Sequence, residues 1–374
     1  MSTAPRHVAI IGGGIFGTSA AVHLARRGVR VTLVTEGGLS SGASGRSLAW
    51  LNSAGDRSLA YHQLRIAGID RWRTWAARTG GTDGFVRFTG GLTWAGEGES
   101  YRERYLHERA LGYQSQWLSA DEVAEVTAGI DPAAVATEGA IFNAGEAWVD
   151  LPSVIAVLVA EIQTRGGSVL EHAGRSRTIV EDGVAVGIVT GTGARIDSDA
   201  VVMATGPDTA AQLADLGVPI ADDSPAAFVA FTKPVDVALE AVLNTPRVAV
   251  RRTIEGGLAL DSGWTEERIV VSDDGQLHVG EDLVEGLFEE ASRILAEHPV
   301  LELDRVGAGY KPIPGGGEPV VGAVDAVPGL FAAFSHSGAT LGQIVGELLA
   351  EEIVERRASP LLETFRPARF ARSA

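Results

Sequence analysis

The chain has 374 residues, enough for two or three domains' worth of core, and its apolar fraction of 45% is ordinary for a globular protein. A formal charge of −17 would repel both a nucleic-acid backbone and an anionic membrane face, so neither is an expected partner. The absence of cysteine excludes thiol catalysis, disulfides, iron–sulfur ligation and any thioether link to a cofactor.

Residues 1–6, MSTAPR, run straight into the first apolar segment and leave no room for a signal peptide, and no apolar run approaches a membrane span. The expectation is a soluble cytoplasmic protein. Residues 8–36, VAIIGGGIFGTSAAVHLARRGVRVTLVTE, then read as strand, glycine turn, helix and second strand closing on an acid. In such a G-x-G-x-x-G unit Gly12 makes the tight turn, Gly14 lets backbone approach a pyrophosphate, and Gly17 lets the helix sit close to the sheet. The intervening Gly13, Ile15 and Phe16 bring the helix N-terminus and its free N–H groups to the same place. Glu36 stands at the distance expected of the acid that hydrogen-bonds an adenosine ribose, where a 2′-phosphate would be repelled. The unit predicts a dinucleotide without saying which one.

Next comes a loop of small residues, GGLSSGASGRSLAWLNS, followed by LAYHQLRIAGIDRWRTWAART, whose Leu64, Ile69, Trp72 and Trp75 recur at helical spacing as a core face. GFVRFTGGLTWAG alternates like strands, and LSADEVAEV opens a helix with a serine cap and early acids. LPSVIAVLVAEIQTRGG reads as a buried helix stopped by glycines, and DAVVMATGPDT as a strand ending in a second glycine turn. Residues 226–280 are strand-rich and 282–297 helical. Near the C-terminus GYKPIPGGGEPVVG precedes the strand GLFAAF, and SHSGATLG makes a third glycine turn that opens a long amphipathic helix. Three strand-to-helix turns suggest a cofactor longer than one nucleotide, and no repeat or linker divides the chain.

The order of these motifs resembles the FAD-dependent D-amino acid oxidase, glycine oxidase and sarcosine oxidase family over nearly the whole sequence. The G-x-G-x-x-G unit with Glu36, GASGRS, GEAWVDLPSVIAVL, VVMATGP, GYKPIPGGGEPVVG, SHSGATLG and the closing SPLLETFRPARF all fall in the family's sequence of elements. The resemblance implies an α/β fold: a Rossmann-type FAD-binding domain assembled from residues 1–82, 148–218 and 301–374, and a smaller α+β substrate domain with a mixed or antiparallel sheet from residues 83–147 and 219–300. It implies FAD, held non-covalently, and oxidation of the C–N bond of a small amine or amino acid by hydride transfer to flavin N5, with oxygen as acceptor. The rivals are a flavin dehydrogenase using another acceptor and a non-catalytic flavoprotein subunit of a hetero-complex.

Carried over by position, the resemblance gives the pyrophosphate to Gly12–Gly17, the adenosine ribose to Glu36, and the ribityl and phosphate side to Ser44, Arg46 and Ser47. The backbone at Arg175 would meet the adenine, and Thr205 and Gly206 would lie beside the ADP half. His336, Ser337, Gly338, Ala339, Thr340 and Leu341 would face the flavin pyrimidine edge, where helix N–H groups stabilise negative charge. Arg46 is read as a charge partner there, with a solvated surface arginine as the lesser alternative, and His336 equally as a catalytic group or a loop histidine. Lys311 stands where the family usually has the arginine that grips a substrate carboxylate. Lysine keeps the charge and loses the bidentate fork, or it forms a local salt bridge instead. Arg252, or its neighbour Arg251, is the alternative grip from the roof strands. Ala259 and Thr340 fall where sarcosine oxidases carry lysines for oxygen and for the carboxylate. The eight histidines show no metal-ligand spacing, so no metal is expected, and no G-x-S-x-G elbow is present.

With no cysteine available, acid or heat denaturation is expected to release yellow FAD into the supernatant. Flavin that stays with the precipitated protein would require a histidyl link.

Overall fold

The computed structural model describes residues 4–79 and 84–371. The boundary expected at 82/83, like residues 1–3 of the leading segment, lies outside them. The run His7–Ile11 is buried throughout and forms the centre of a six-stranded sheet. Its order is Val320–Ala323, Leu330–Phe334, Ala200–Met203, His7–Ile11, Arg30–Val34 and Ser168–Leu170, parallel except for the edge pair Val320–Ala323 and Leu330–Phe334. Helices cover one face because strands buried on both sides need crossover connections to reach parallel neighbours. The Ile15–Arg26, Leu59–Arg78, Leu151–Thr164 and Gly338–Glu355 helices bury Leu24, Trp72, Ile155 and Leu349 in one core.

Glycine decides how close these pieces come. Gly12 has φ +121°, and a Cβ there would lie 2.1 Å from the Ala204 carbonyl oxygen. The C-terminal helix Gly338–Glu355 lies against the Ile15–Arg26 helix through Gly342 and Gly346, whose Cβ atoms would fall 2.4 Å from Ile15 Cγ1 and 2.2 Å from Ser19 Oγ. Gly68 of the Leu59–Arg78 helix does the same against the Thr340 carbonyl at 2.3 Å. The predicted amphipathic helix at the C-terminus is therefore buried over most of its length.

An eight-stranded sheet roofs this layer: Leu303–Tyr310, Ala226–Thr232, Leu258–Asp261, Ala249–Arg252, Val242–Asn244, Gly91–Thr93, Ala140–Asn143 and Gln116–Leu118. It is antiparallel except where Val242–Asn244 runs alongside Gly91–Thr93. The amphipathic helix Glu281–Ile294 seals its outer face with Leu283, Leu287 and Ala291. The inner face sets Val229, Phe231, Val242 and Ala259 against Leu48 and Trp148 of the first layer. Leu303–Tyr310 pairs along its length with Ala226–Thr232, so the segment beginning at 301 contributes a roof strand before it returns to the first sheet. Leu303 to Tyr310 alternates too weakly to announce that pairing from sequence.

No described helix is long and apolar enough to cross a membrane.

Gly346→Val should force the two helices apart, and overpacking of this kind costs ~1–3 kcal/mol. Its urea midpoint should fall below that of the wild type. An unchanged midpoint would mean that the helix contact is not close enough to matter.

Candidate active site

Between the sheets runs one cavity of about 620 Å³, bounded at one end by the Gly12 turn and at the other by Lys311 and His336. It meets all three glycine turns and the GASGRS loop, which the sequence separates by up to some three hundred positions. Of the residues expected at the site, Gly12, Gly13, Gly14, Ile15, Phe16, Glu36, Ser44, Arg46, Ser47, Arg175, Thr205, Gly206, Lys311, His336, Ser337, Gly338, Ala339 and Thr340 border it. Three expected residues do not. Gly17 lies behind the turn, where its Cβ would meet the Gly12 carbonyl at 1.9 Å, so it serves helix packing. Leu341 is wholly buried in the helix core. Arg252 turns its guanidinium to the Val237 carbonyl within the roof.

The end near Gly12 fits the ADP half of FAD. Gly14 caps the Ile15–Arg26 helix without a side-chain hydrogen bond. A Cβ on it would touch only Ser44 Oγ, at 3.1 Å, and would otherwise enter the cavity. Ser44 Oγ accepts from the Ile15 amide at 3.0 Å, which fixes the GASGRS loop over the helix start. Glu36 is exposed at the cavity edge. Arg175 is held in a bidentate pair with Asp208, at 2.7 and 3.0 Å. Gln212 donates to Asp208 at 2.7 Å and leaves its buried Oε1 without a partner, an unmet acceptor suited to an adenine or ribose donor. Arg46 crosses to the roof strand, where it lies on Gly307 and Gly309 and donates to the Ala308 carbonyl. It is not a merely solvated arginine.

At the far end the C-terminal helix opens at Ser337, and Arg65 sits beneath it. Arg65 is 3% exposed and has no carboxylate partner among the described residues. Its guanidinium brackets Asn52 through the backbone carbonyl and Oδ1, both at 2.8 Å, and also reaches Tyr61 Oη and Ser337 Oγ. Tyr61 and Ser337 share a further hydrogen bond of 2.6 Å. Burial pushes the Tyr61 phenol up, but the arginines and Ser337 more than reverse it, so its pKa falls. Thr340 donates to the Trp50 carbonyl and accepts from the Asn52 amide, tying the 50–52 segment to the turn. Arg57 borders the cavity with its Nε on the Ala54 carbonyl and its guanidinium over the Tyr61 ring, again with no carboxylate partner among the described residues. Burial and the neighbouring Arg65 and Arg104 depress its pKa.

Lys311 behaves differently from these arginines. Its Nζ donates to Glu266 at 2.6 Å and lies 3.7 Å from Asp261. Burial opposes its charge, but the two carboxylates outweigh it and raise its pKa. Asp261, also on the cavity wall, is raised by burial, which outweighs the attraction of Lys311; the repulsion from Glu266 is smaller than that attraction. His336 borders the cavity, and its exposed surface there contrasts with the crowding of the site around it. Burial first, then Lys311, Arg65 and Arg57, push it down to about 4, so it is a neutral imidazole near pH 7. Ala259 is fully buried on the roof face opposite Arg251, whose guanidinium donates to the Leu48 carbonyl and lies over Trp148. Arg251 is thus committed to the contact between layers. No cluster of three or more metal-ligating side chains occurs among the described residues.

Gly14→Val should fold with an unchanged circular dichroism spectrum and purify with little flavin. Glu36→Ala should weaken flavin binding about 10- to 150-fold, since a hydrogen bond to a charged group contributes ~1.5–3 kcal/mol. Full flavin occupancy in Gly14→Val would place the cofactor elsewhere.

Comparison with known proteins agrees with this geometry. Residues 7–352 match the family described as "DAO: FAD dependent oxidoreductase". The chain is 26% identical over 373 residues to glycine oxidase from Geobacillus kaustophilus, covering 94% of this chain and 93% of that one. It is 23% identical over 361 residues to glycine oxidase from Bacillus licheniformis, covering 92% of each. The crystal structure of L-proline dehydrogenase from P. horikoshii superposes with a TM-score of 0.81 at 20% identity, over 99% of this chain and 98% of that one. The match over almost the whole length, on a cavity already shaped for a dinucleotide, means that the chain belongs to the DAO family of FAD-dependent oxidoreductases, and is a flavoprotein enzyme.

Proposed function

We propose that the protein oxidises the C–N bond of an amino acid, or of a closely related amine, and that Arg57 takes the substrate carboxylate. The observation that carries this reading is the distribution of charge at the far end of the cavity. Two arginines there have no carboxylate partner among the described residues, while Lys311, the position that the family resemblance gives to carboxylate recognition, is already held by Glu266 and Asp261. A partly buried cation crowded by like charges gains most from an incoming anion. A planar guanidinium can also take a carboxylate through two parallel N–H donors, which an ammonium cannot.

FAD, which the Gly12–Phe16 turn, Glu36 and the Ser44 loop would hold, would supply the two-electron acceptor for oxidation of the C–N bond to an imine that water hydrolyses. The chain supplies position and field. Arg65 and the helix start at Ser337 hold positive potential where Gly338 to Thr340 border the cavity. Asn52, clamped by Arg65, fixes the segment that carries Arg57. Neutral His336 adds bulk and a hydrogen-bonding edge without a charge. The names of the relatives support an amine or amino acid as substrate.

For the acceptor, oxygen is the first reading, and one observation favours a dehydrogenase. Ala259 offers no amine on the inner roof face, and both lysines of the chain are ion-paired, Lys233 to Glu302 and Lys311 to its acids. Flavin bleached anaerobically by substrate and then exposed to air separates the two: rapid recolouring supports oxygen, and slow recolouring another acceptor.

Arg57→Met should lose ~2–4 kcal/mol of transition-state binding for amino acids, about 30- to 1000-fold in kcat/KM, because the carboxylate is left unpaired. The loss should be much smaller for the corresponding amines without a carboxylate. Lys311→Met should affect both kinds alike. The reverse pattern would return carboxylate recognition to Lys311.

A further inference from the structure

We infer that Asp261 receives the ammonium proton of the substrate, with Lys311 and Glu266 setting the proton affinity of Asp261. The inference rests on the amine-oxidising reading above and assigns to this site a proton acceptor. Asp261 ends the roof strand Leu258–Asp261 with its side chain at the cavity wall. Lys311 lies 3.7 Å from it, at the end of the neighbouring segment, and Glu266 approaches the same ammonium at 2.6 Å from the turn Gly263–Arg268. One cation thus faces two carboxylates. The cluster has one negative charge in excess when both acids are ionised, and it stands at the far end of the cavity, where His336 feels both Lys311 and the unpaired Arg65 and Arg57.

The other charged groups facing Asp261 are few. Arg251, in the adjacent strand, acts on it more weakly than Lys311 or Glu266, and its guanidinium is committed to the Leu48 carbonyl. His336 is neutral near pH 7 and faces Lys311. An amino acid in the cavity therefore meets a cation at Arg57 for its carboxylate and a net negative cluster for its ammonium. Burial raises the proton affinity of Asp261, so the carboxylate is a better acceptor than a solvated aspartate.

The step balances simply. A substrate N–H bond breaks and leaves its electron pair on nitrogen, an O–H bond forms on Asp261, and the neutral amine can then support the forming imine as the hydride departs. The proton later returns from Asp261 to water at the cavity mouth. No oxidant enters this transfer.

The test is the pH dependence of kcat/KM for an amino acid that bleaches the flavin, using the FAD-loaded enzyme. In the wild type the acid limb should follow Asp261. In Asp261→Asn it should move up to the ionisation of the substrate amine, with a loss of about 100-fold or more near pH 7 that recovers as pH rises. Two further variants should move the limb in opposite directions. Lys311→Met removes the cation that favours ionised Asp261 and should shift the limb upward, and Glu266→Gln removes a repulsion and should shift it downward. A merely structural role cannot produce opposite shifts.

An acid limb unmoved in all three variants, or a loss in Asp261→Asn that is uniform across pH, would overturn the inference. Infrared titration of the protein without substrate is an independent readout. A protonated-carboxyl band titrating above the ordinary aspartate range should be present in the wild type and missing from Asp261→Asn, and its persistence in the variant would overturn the assignment. Failure of every amine and amino acid to bleach wild-type flavin would instead remove the reading on which the inference stands.

Discussion

Everything at the site depends on two helices approaching until their backbones almost touch. Gly342 and Gly346 leave no side chain between the C-terminal helix and the helix that follows the first glycine turn, and Ile15 and Ser19 fill the gap. This contact sets the start of one helix, at Gly14, beside the start of the other, at Ser337. Gly68 adds a third close approach, against the Thr340 carbonyl, and draws the Leu59–Arg78 helix into the same junction. With that helix come Arg65 and Tyr61. Packing with no chemical role of its own thus delivers two helix N-termini and a buried cation to one cavity, where a long anionic cofactor meets positive potential at both of its parts.

A buried arginine without a carboxylate is expensive unless its donors are satisfied, and Arg65 shows how this is done. It uses the Asn52 carbonyl and amide oxygen, Tyr61 and Ser337, all neutral groups, so its charge is solvated but not cancelled. The acids nearby are engaged elsewhere. Glu108 is held by Arg104, Ser115 and the Gly55 amide. Glu146 takes bonds from Trp50 and Tyr113, and burial pushes it up to about 8, so it is largely protonated and adds little negative charge near pH 7. The positive charge around Arg65 survives because one neighbouring carboxylate is paired and the other is kept neutral. The Lys311 cluster beside it stays net negative for the converse reason: a lone lysine is outnumbered by two acids.

The sequence shows the Gly12 end of the cavity better than the far end. Gly12 to Gly17 and Glu36 are legible because a phosphate-binding turn demands local spacing, and the late turn at His336 is legible for the same reason. Arg65 carries a weaker signal. It lies four residues from both Tyr61 and Ile69 in a helix whose other members at that spacing are core, so its position alone implies a buried charge. Asp261, Glu266 and Gln212 carry no such signal. Their role arises from strands that meet only after folding, and nothing in the residues around Lys311 marks Asp261 as its neighbour. The roof strand Leu303–Tyr310 is missed for a related reason, since its partner Ala226–Thr232 lies some seventy positions earlier.

That strand also joins the two halves of the site mechanically. Arg46, from the loop fixed over the Gly14 helix start, lies on Gly307 and Gly309 and donates to Ala308, and the same strand runs directly into Lys311. Glycine at 307 and 309 is what lets the arginine stem lie flat, since Cβ atoms there would come within 3.1 Å of Arg46 Cγ and 3.0 Å of Nη1. The Arg46 contact at Ala308 stands three residues from the ammonium that Asp261 and Glu266 share. A single β-strand thus holds the two parts of the site in register, because Arg46 grips its backbone at one point and Lys311 extends from its end.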